Sequence, residues 1–228
     1  MKKFLSALCA ITLISCTCNV HLGNGKSGKT VTCKGPVITK TFDLADFNAI
    51  EINGQADLEF TQTTGSFGVS VEANEEVFQH LNYRVVNGTL ILETINKVNI
   101  RADKYEIYIS APKLSGIEVN GAIDGKILSL NQEEKFELEV NGAADLELNK
   151  VSVPQFKIEI NGAGDLDCKD LNVGSLDIEV NGAGDVKLAG KAESCKLDVS
   201  GAGDIDARKL DCEQFETHKA GLASIKTK

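Results

Sequence analysis

Residues 156–168 read Phe156-Lys157-Ile158-Glu159-Ile160-Asn161-Gly162-Ala163-Gly164-Asp165-Leu166-Asp167-Cys168. On both sides of the Asn-Gly-Ala-Gly-Asp centre, apolar and charged residues alternate, which is the pattern of a strand with one buried face. The centre recurs as Asn120-Gly121-Ala122-Ile123-Asp124, Asn141-Gly142-Ala143-Ala144-Asp145, Asn181-Gly182-Ala183-Gly184-Asp185 and Ser200-Gly201-Ala202-Gly203-Asp204. A decayed copy stands at Ala220-Gly221-Leu222-Ala223-Ser224, and an early outlier at Asn53-Gly54-Gln55-Ala56-Asp57. From Gly121 onward the motif glycines are 21, 20, 20, 19 and 20 residues apart. Leucine-rich repeats have a similar length but need a helical half, which the doubled alternation denies. A coil of about 20 residues carrying two or three short strands, stacked on its neighbours, predicts an all-β fold: a right-handed, single-stranded parallel β-helix.

Register then assigns side chains to interior rows. Phe136, Phe156, Leu176, Cys195 and Phe215 share one, Leu148, Cys168, Leu188 and Ala207 a second, and Val153, Val173 and Cys212 a third. Cys168, Cys195 and Cys212 thus fall in three different rows, badly placed for the Cα separation that a bridge requires, and read as buried free thiols. Cys18 and Cys33, nearer the N-terminus, could pair or stay reactive, and no metal-type Cys spacing exists.

The start of the chain predicts an address. Lys2 and Lys3 precede an apolar run from Phe4 to Ile14, the charged and apolar parts of an export signal, too short to span a bilayer. Leu13-Ile14-Ser15-Cys16 resembles a bacterial lipobox. Residues 1–15 therefore read as a lipoprotein signal peptide, Cys16 as the lipidated new N-terminus, and residues 16–36 as a flexible tether rich in Gly, Asn and Ser. Residues 37–228 form the β-helix domain. Two or three acyl chains would hold the protein stably on the outer membrane, with the face of that membrane left open.

Composition narrows the function. The 228 residues include 21 Gly, 3 Pro and no Trp, with a net charge of −9. Only Arg84, Arg101 and Arg208 supply guanidinium groups, which argues against nucleic acid as a partner. Between residues 37 and 113 the pattern is less regular, with strands expected at 49–60, 68–72, 89–94 and 104–110. Asn74-Glu75-Glu76-Val77-Phe78 suggests a short helix with Asn74 as its N-cap. With no linker-like stretch before Gly121, this region reads as earlier, longer coils of the same stack.

Three further stretches carry a resemblance: Phe47-Asn48-Ala49-Ile50-Glu51-Ile52-Asn53-Gly54, Asn87-Gly88-Thr89-Leu90-Ile91-Leu92, and Ala111-Pro112-Lys113-Leu114-Ser115-Gly116-Ile117-Glu118-Val119-Asn120-Gly121. Together with the Gly-Ala-Gly-Asp ladder, over about residues 42–227, the chain resembles the family called putative auto-transporter adhesin, head GIN domain. The resemblance implies a lipid-anchored or secreted β-helix of Bacteroidetes-type bacteria, with adhesion suggested by the family's name. It implies no catalytic residues.

Stacking the repeats makes columns of charge. Asp124, Asp145, Asp165, Asp185 and Asp204 fall one per coil, and carboxylates about 4.8 Å apart repel by about 3.5 kcal/mol at an effective dielectric of about 20. Either each carboxylate accepts N–H groups of its own Gly-rich turn, where Gly supplies a positive φ, or the column binds a cation such as Ca²⁺. Glu118, Glu139, Glu159, Glu179 and Asp198 form a second, outward column that reads as a solvated face, and Asn120, Asn141, Asn161 and Asn181 an amide ladder. Lys226 and Lys228 would blunt an open edge at the end of the chain. Every carboxylate of note belongs to the repeat, whereas a catalytic pair should break it. His21, His80 and His218 are scattered and Tyr83, Tyr105 and Tyr108 are the only tyrosines, so a polysaccharide-active enzyme is the least favoured reading. The favoured one is a non-enzymatic envelope lipoprotein that meets an envelope protein or glycan, with a calcium-binding module as the alternative.

Overall fold

A computed structural model describes residues 29–228. The expected signal peptide (1–15), the expected lipidation site Cys16, Cys18 and the rest of the expected tether up to residue 28 lie outside the described residues. The fold is all-β. Its strands are β1 (Thr30–Thr32), β2 (Val37–Phe42), β3 (Ala49–Gln62), β4 (Gly68–Asn74), β5 (Leu81–Val86), β6 (Thr89–Thr94), β7 (Asn99–Arg101) and β8 (Tyr105–Ala111). The repeats follow as β9 (Gly116–Asn131), β10 (Phe136–Val140), β11 (Ala143–Leu148), β12 (Val151–Ala183), β13 (Asp185–Gly201), β14 (Asp204–Gly221) and β15 (Ser224–Lys226). Among the described residues the only helices are two short 3₁₀ turns, Glu75–His80 and Ile95–Lys97, and no helix is long and apolar enough to cross a membrane.

From β9 onward each segment pairs in parallel with the one about a repeat further on. Phe136 lies against Phe156, Leu148 against Cys168, Leu176 against Cys195, and Cys195 against Phe215. These are the interior rows expected from the alternation, and Phe136 and Phe156 stack with ring centroids 5.1 Å apart. The physical basis is the period-two pleat: a one-residue slip would turn every Leu, Ile and Val of a rung outward, so the buried face locks the register.

The region before Gly121 departs from the expectation of further coils. β2 pairs antiparallel with β4, β4 with β8, and β5 with β6. Only β3 carries the parallel stacking on, pairing with β6, β8 and β9. The cause of the β5–β6 hairpin is local: Asn87 (φ 51°) and Gly88 (φ 80°) form a two-residue turn between Val86 and Thr89, the strong hairpin signal of an Asn-Gly pair. The region is nonetheless joined to the repeats, since β3 and β9 are in register from Ala49 and Gly116 to Phe60 and Ile127.

Two smaller expectations also change. Residues 30–36, assigned to the tether, are built into the fold: β1 pairs with β7, Cys33 is fully buried, and its N–H donates to the Arg101 carbonyl at 2.8 Å. Asn74 does precede a helical turn but does not cap it. Its side-chain oxygen accepts from the N–H groups of Asp103 and Lys104, at 2.9 and 3.0 Å, and its amide donates to the Gly35 carbonyl. A buried amide is better satisfied by three backbone partners than by one cap bond.

Candidate functional site

The repeat motif builds three adjoining columns. In the glycine column, Gly54 (φ 142°), Gly201 (φ 136°) and Gly221 (φ 87°) have the positive φ expected of a tight turn, whereas Gly121, Gly142 and Gly162 do not. Their requirement is space. A Cβ on Gly142 would collide with the carbonyl oxygen of Gly121, and one on Gly162 with that of Gly142. Successive rungs meet backbone to backbone here, so a side chain has nowhere to go.

Beside the glycines, the Asn and Glu columns are one network. The Nδ2 of Asn120, Asn141, Asn161 and Asn181 donates to the Oε1 of Glu118, Glu139, Glu159 and Glu179, each at 2.8 Å. The same Nδ2 donates to the next amide oxygen down: Asn141 to Asn120, Asn161 to Asn141 and Asn181 to Asn161, at 3.2–3.3 Å. Asn53 and Glu51 start the pattern at its lower end. The outward acidic residues are therefore held by the ladder instead of only facing solvent. For Glu159, the Asn161 amide and then Lys157 hold the carboxyl below its ordinary value. The ladder stops at Ser200, which occupies the Asn position above Asn181. One rung member is left short as a result: the Oδ1 of Asp198 is buried without a hydrogen-bond partner, although its other oxygen meets Lys196 at 2.8 Å.

The Asp column is longer than the repeats suggested. Asp57 stacks on Asp124, Asp124 on Asp145, Asp145 on Asp165 and Asp185 on Asp204, while Glu106 pairs with Asp57 and Glu72 with Glu106 at the lower end. Two of the carboxylates, Asp145 and Asp165, accept backbone N–H groups, and from the next rung instead of their own turn. Asp145 Oδ1 accepts from the Asp165 N–H at 3.3 Å, and Asp165 Oδ1 from the Asp185 N–H at 3.1 Å. Lysines close both ends. Lys104 sits 3.4 Å from Glu72 and 2.5 Å from Glu106, and Lys226 sits 3.1 Å from Asp204. Lys104, and then the Tyr108 hydroxyl, hold Glu106 below its usual range. Partial burial and then the charge of Asp124 push the Asp57 carboxyl up, and partial burial and then Asp145 do the same to Asp124.

The neighbouring column mixes signs, with Glu59 on Lys126, Lys126 against Glu147, and Asp167 against Lys187. Asp57, Asp124, Asp145, Asp165, Glu106 and Tyr108 line an open groove of about 520 Å³ on this face. Among the described residues, no three His, Cys, Asp or Glu side chains are grouped to hold a metal ion.

One cysteine expectation is overturned. Cys195 and Cys212 form a disulfide, with Cα atoms 6.6 Å apart, while Cys33 and Cys168 are free and buried. The two do lie in different rows, but those rows flank the same corner. Cys212 stands one rung above Ala192, which stands above Val173, and Cys195 follows Ala192 by three residues round the bend. A diagonal across a corner and one rung falls within disulfide reach. The sequence signal that could have found it is the small Ala192 in that row, which leaves room for the bridge.

Parallel rungs with side-chain ladders on their outer faces define a repetitive all-β fold. The chain belongs to the family described as putative auto-transporter adhesin, head GIN domain, which it matches over residues 46–228. Its fold is similar to a crystal structure described as a putative lipid binding protein from Parabacteroides distasonis ATCC 8503, with a TM-score of 0.78 and 22% identity, covering 86% of this chain and 84% of that one. It is also similar to a putative adhesin from Bacteroides fragilis NCTC 9343, with a TM-score of 0.71 and 19% identity, covering 87% and 100%. No curated protein matches the sequence.

Proposed function

We propose that this protein is a non-enzymatic cell-envelope lipoprotein whose rungs wind as a right-handed, single-stranded β-helix and present a lateral sheet face for adhesion or protein contact. Cys16 carries the lipid and places the rod on the outer membrane. The observation that carries the reading is membership of an adhesin family over residues 46–228. The outer faces support it: the Asp, Glu and Asn columns repeat over several rungs, and a flat ladder of like groups suits a broad contact better than the chemistry of one bond. The mixed-sign column beside the Asp column would set register with a partner protein or glycan of the envelope. A calcium-binding reading rests on the same carboxylates, but their N–H and lysine partners already offset much of the repulsion a cation would relieve.

Two measurements test this. Palmitate labelling in cells should mark the wild-type chain and not a Cys16→Ala variant. Envelope extract passed over the immobilised domain should yield a retained partner that is lost when Asp145, Asp165 and Asp185 are all changed to Lys. Equal retention by that variant would remove this face from the proposal, and turnover of any envelope glycan would remove the non-enzymatic reading.

A further inference from the structure

Six Asn-Gly pairs lie among the described residues, beginning at Asn53, Asn87, Asn120, Asn141, Asn161 and Asn181. In any such pair the glycine nitrogen can attack the asparagine side-chain carbonyl, because glycine puts no Cβ in the way, and asparagine is among the thermolabile residues. The fold treats the six unequally. In the ladder, Asn141, Asn161 and Asn181 each hold Nδ2 between a Glu Oε1 and the next amide oxygen. At Gly121, Gly142, Gly162 and Gly182 the carbonyl of the rung below stands where a Cβ would be, so a five-membered ring closing on the glycine nitrogen has no room. Asn53 and Asn120 lie in strands paired on both sides and donate to Glu51 and Glu118. Asn87 has none of this protection. It is exposed at the tip of the β5–β6 hairpin, and among the described residues β5 pairs only with β6. The Gly88 N–H, in the turn, has no backbone partner among them. That tip is also a latch. The Gly88 carbonyl accepts from the N–H groups of Asn48 and Ala49, at 2.8 and 3.3 Å, where β3 begins. The Asn48 carbonyl in turn accepts from the Ser115 N–H and hydroxyl, at 2.6 and 2.8 Å, just before β9.

We propose that Asn87 is a self-modification site whose conversion to isoaspartate opens this latch. The Gly88 nitrogen bonds to the Asn87 Cγ, and Nδ2 leaves as ammonia, carrying the proton given up by the Gly88 N–H. Water then opens the cyclic imide at either carbonyl. Breaking the bond from the Gly88 nitrogen to the Asn87 main-chain carbonyl carbon gives isoaspartate, and breaking the bond to Cγ gives aspartate. No oxidant or reductant takes part, and the net change is amide plus water to carboxylate plus ammonium. Ring closure needs the two-residue turn to open briefly. A hairpin tip at a sheet edge opens at low cost, whereas a ladder Asn must break pairing on two sides. Isoaspartate carries the main chain through Cβ and lengthens it by one atom, so the tight turn that pairs Val86 with Thr89 no longer closes and the Gly88 carbonyl moves away from Asn48. The stacked repeats thus keep their own Asn-Gly pairs intact while the hairpin ages first.

Incubation of the full chain at mildly alkaline pH in heavy-oxygen water, followed by peptide mapping, tests the proposal. Residue 87 should become a mixture of isoaspartate and aspartate carrying the heavy oxygen, at least tenfold faster than Asn141, Asn161 or Asn181 react. In denaturant that preference should vanish, since every Asn-Gly pair is then exposed. Separated by ion exchange on its new charge, the modified chain should exchange amides 48–49 at least tenfold faster, while amides 156–160 keep their protection. Asn87→Gly keeps a two-residue turn of the same type and has no side chain to cyclise, so it should age without either change. Fresh and aged wild type suffice on their own if that variant fails to fold. Comparable rates at Asn87 and the ladder in the folded chain, a preference that persists in denaturant, or unchanged exchange at 48–49 once residue 87 is converted would each overturn the proposal.

Discussion

Replacing Asn161 by Ala removes three hydrogen bonds at once. Its amide donates to Asn141 Oδ1 at 3.2 Å and to Glu159 Oε1 at 2.8 Å, and its oxygen accepts from Asn181 at 3.2 Å. A typical neutral bond contributes about 1 kcal/mol net and a bond to a carboxylate somewhat more. Because the site is partly solvated, water recovers part of this, so we expect a loss of about 2 kcal/mol. For a domain of this size that lowers the melting temperature by roughly 4–8 °C. A second readout separates the ladder from a general packing effect. The Asn161 amide is the main cause of the depressed Glu159 carboxyl, with Lys157 second. A folded value below the unfolded one stabilises the fold above the unfolded pKa, about 4.3, and that contribution is lost as the pH falls through the depressed value. The penalty of Asn161→Ala should therefore be full at pH 7 and shrink below about pH 4, while Glu159, followed by carboxyl-carbon NMR, titrates closer to its ordinary value. Asn172→Ala serves as the control, because its one side-chain bond is to Ser152 Oγ at 3.3 Å on an exposed surface, and it should change stability by less than about 0.5 kcal/mol. A melting temperature for Asn161→Ala equal to that of Asn172→Ala, with an unmoved Glu159 titration, would refute the view that the amide ladder stabilises the stack.

Extending the ladder should have the opposite sign. Ser200→Asn places an amide above Asn181 and beside the unpartnered Oδ1 of Asp198, and should raise stability by about 1 kcal/mol in a denaturant titration; no gain would mean that the ladder geometry does not continue into that rung. In the Asp column, Asp124 holds its proton more tightly folded than unfolded, owing to partial burial and then Asp145, so its ionised form costs stability at neutral pH. Asp124→Asn should stabilise the protein by about 0.5 kcal/mol at pH 7, after discounting for solvent screening, with the gain fading as the pH approaches about 4. A gain that persists at pH 3 would point to a cause other than charge.

The two halves of the fold were legible to different degrees, and for a physical reason. From Gly121 onward, Phe136, Phe156, Leu176, Cys195 and Phe215 fall in one row by counting alone, because parallel rungs in register turn sequence period into spatial stacking. The same counting lined up the Asp, Glu and Asn columns. Before Gly121 the chain does not repeat, and the expectation of further coils met antiparallel strands, of which only the Asn87-Gly88 turn had left a clear local mark. Asp57 could be seen as an outlying copy of the motif. Its place at the foot of the Asp column, between Glu106 and Asp124, depends on the long-range pairing of β3 with β8 and β9.

The sequence by itself thus determined the all-β class, the rung length and the membership of each interior row and outer column, since each follows from a period along one dimension. Tertiary structure decided what lies between columns. It set Cys195 and Cys212 on two sides of one corner, gave Asp145 and Asp165 the N–H of the next rung, brought Lys104 and Lys226 to the two ends of the acidic column, and made Gly142 and Gly162 a matter of space instead of φ. Those facts depend on how the bends fold one row against another and on how closely neighbouring backbones approach, and a repeat period carries no information about either distance.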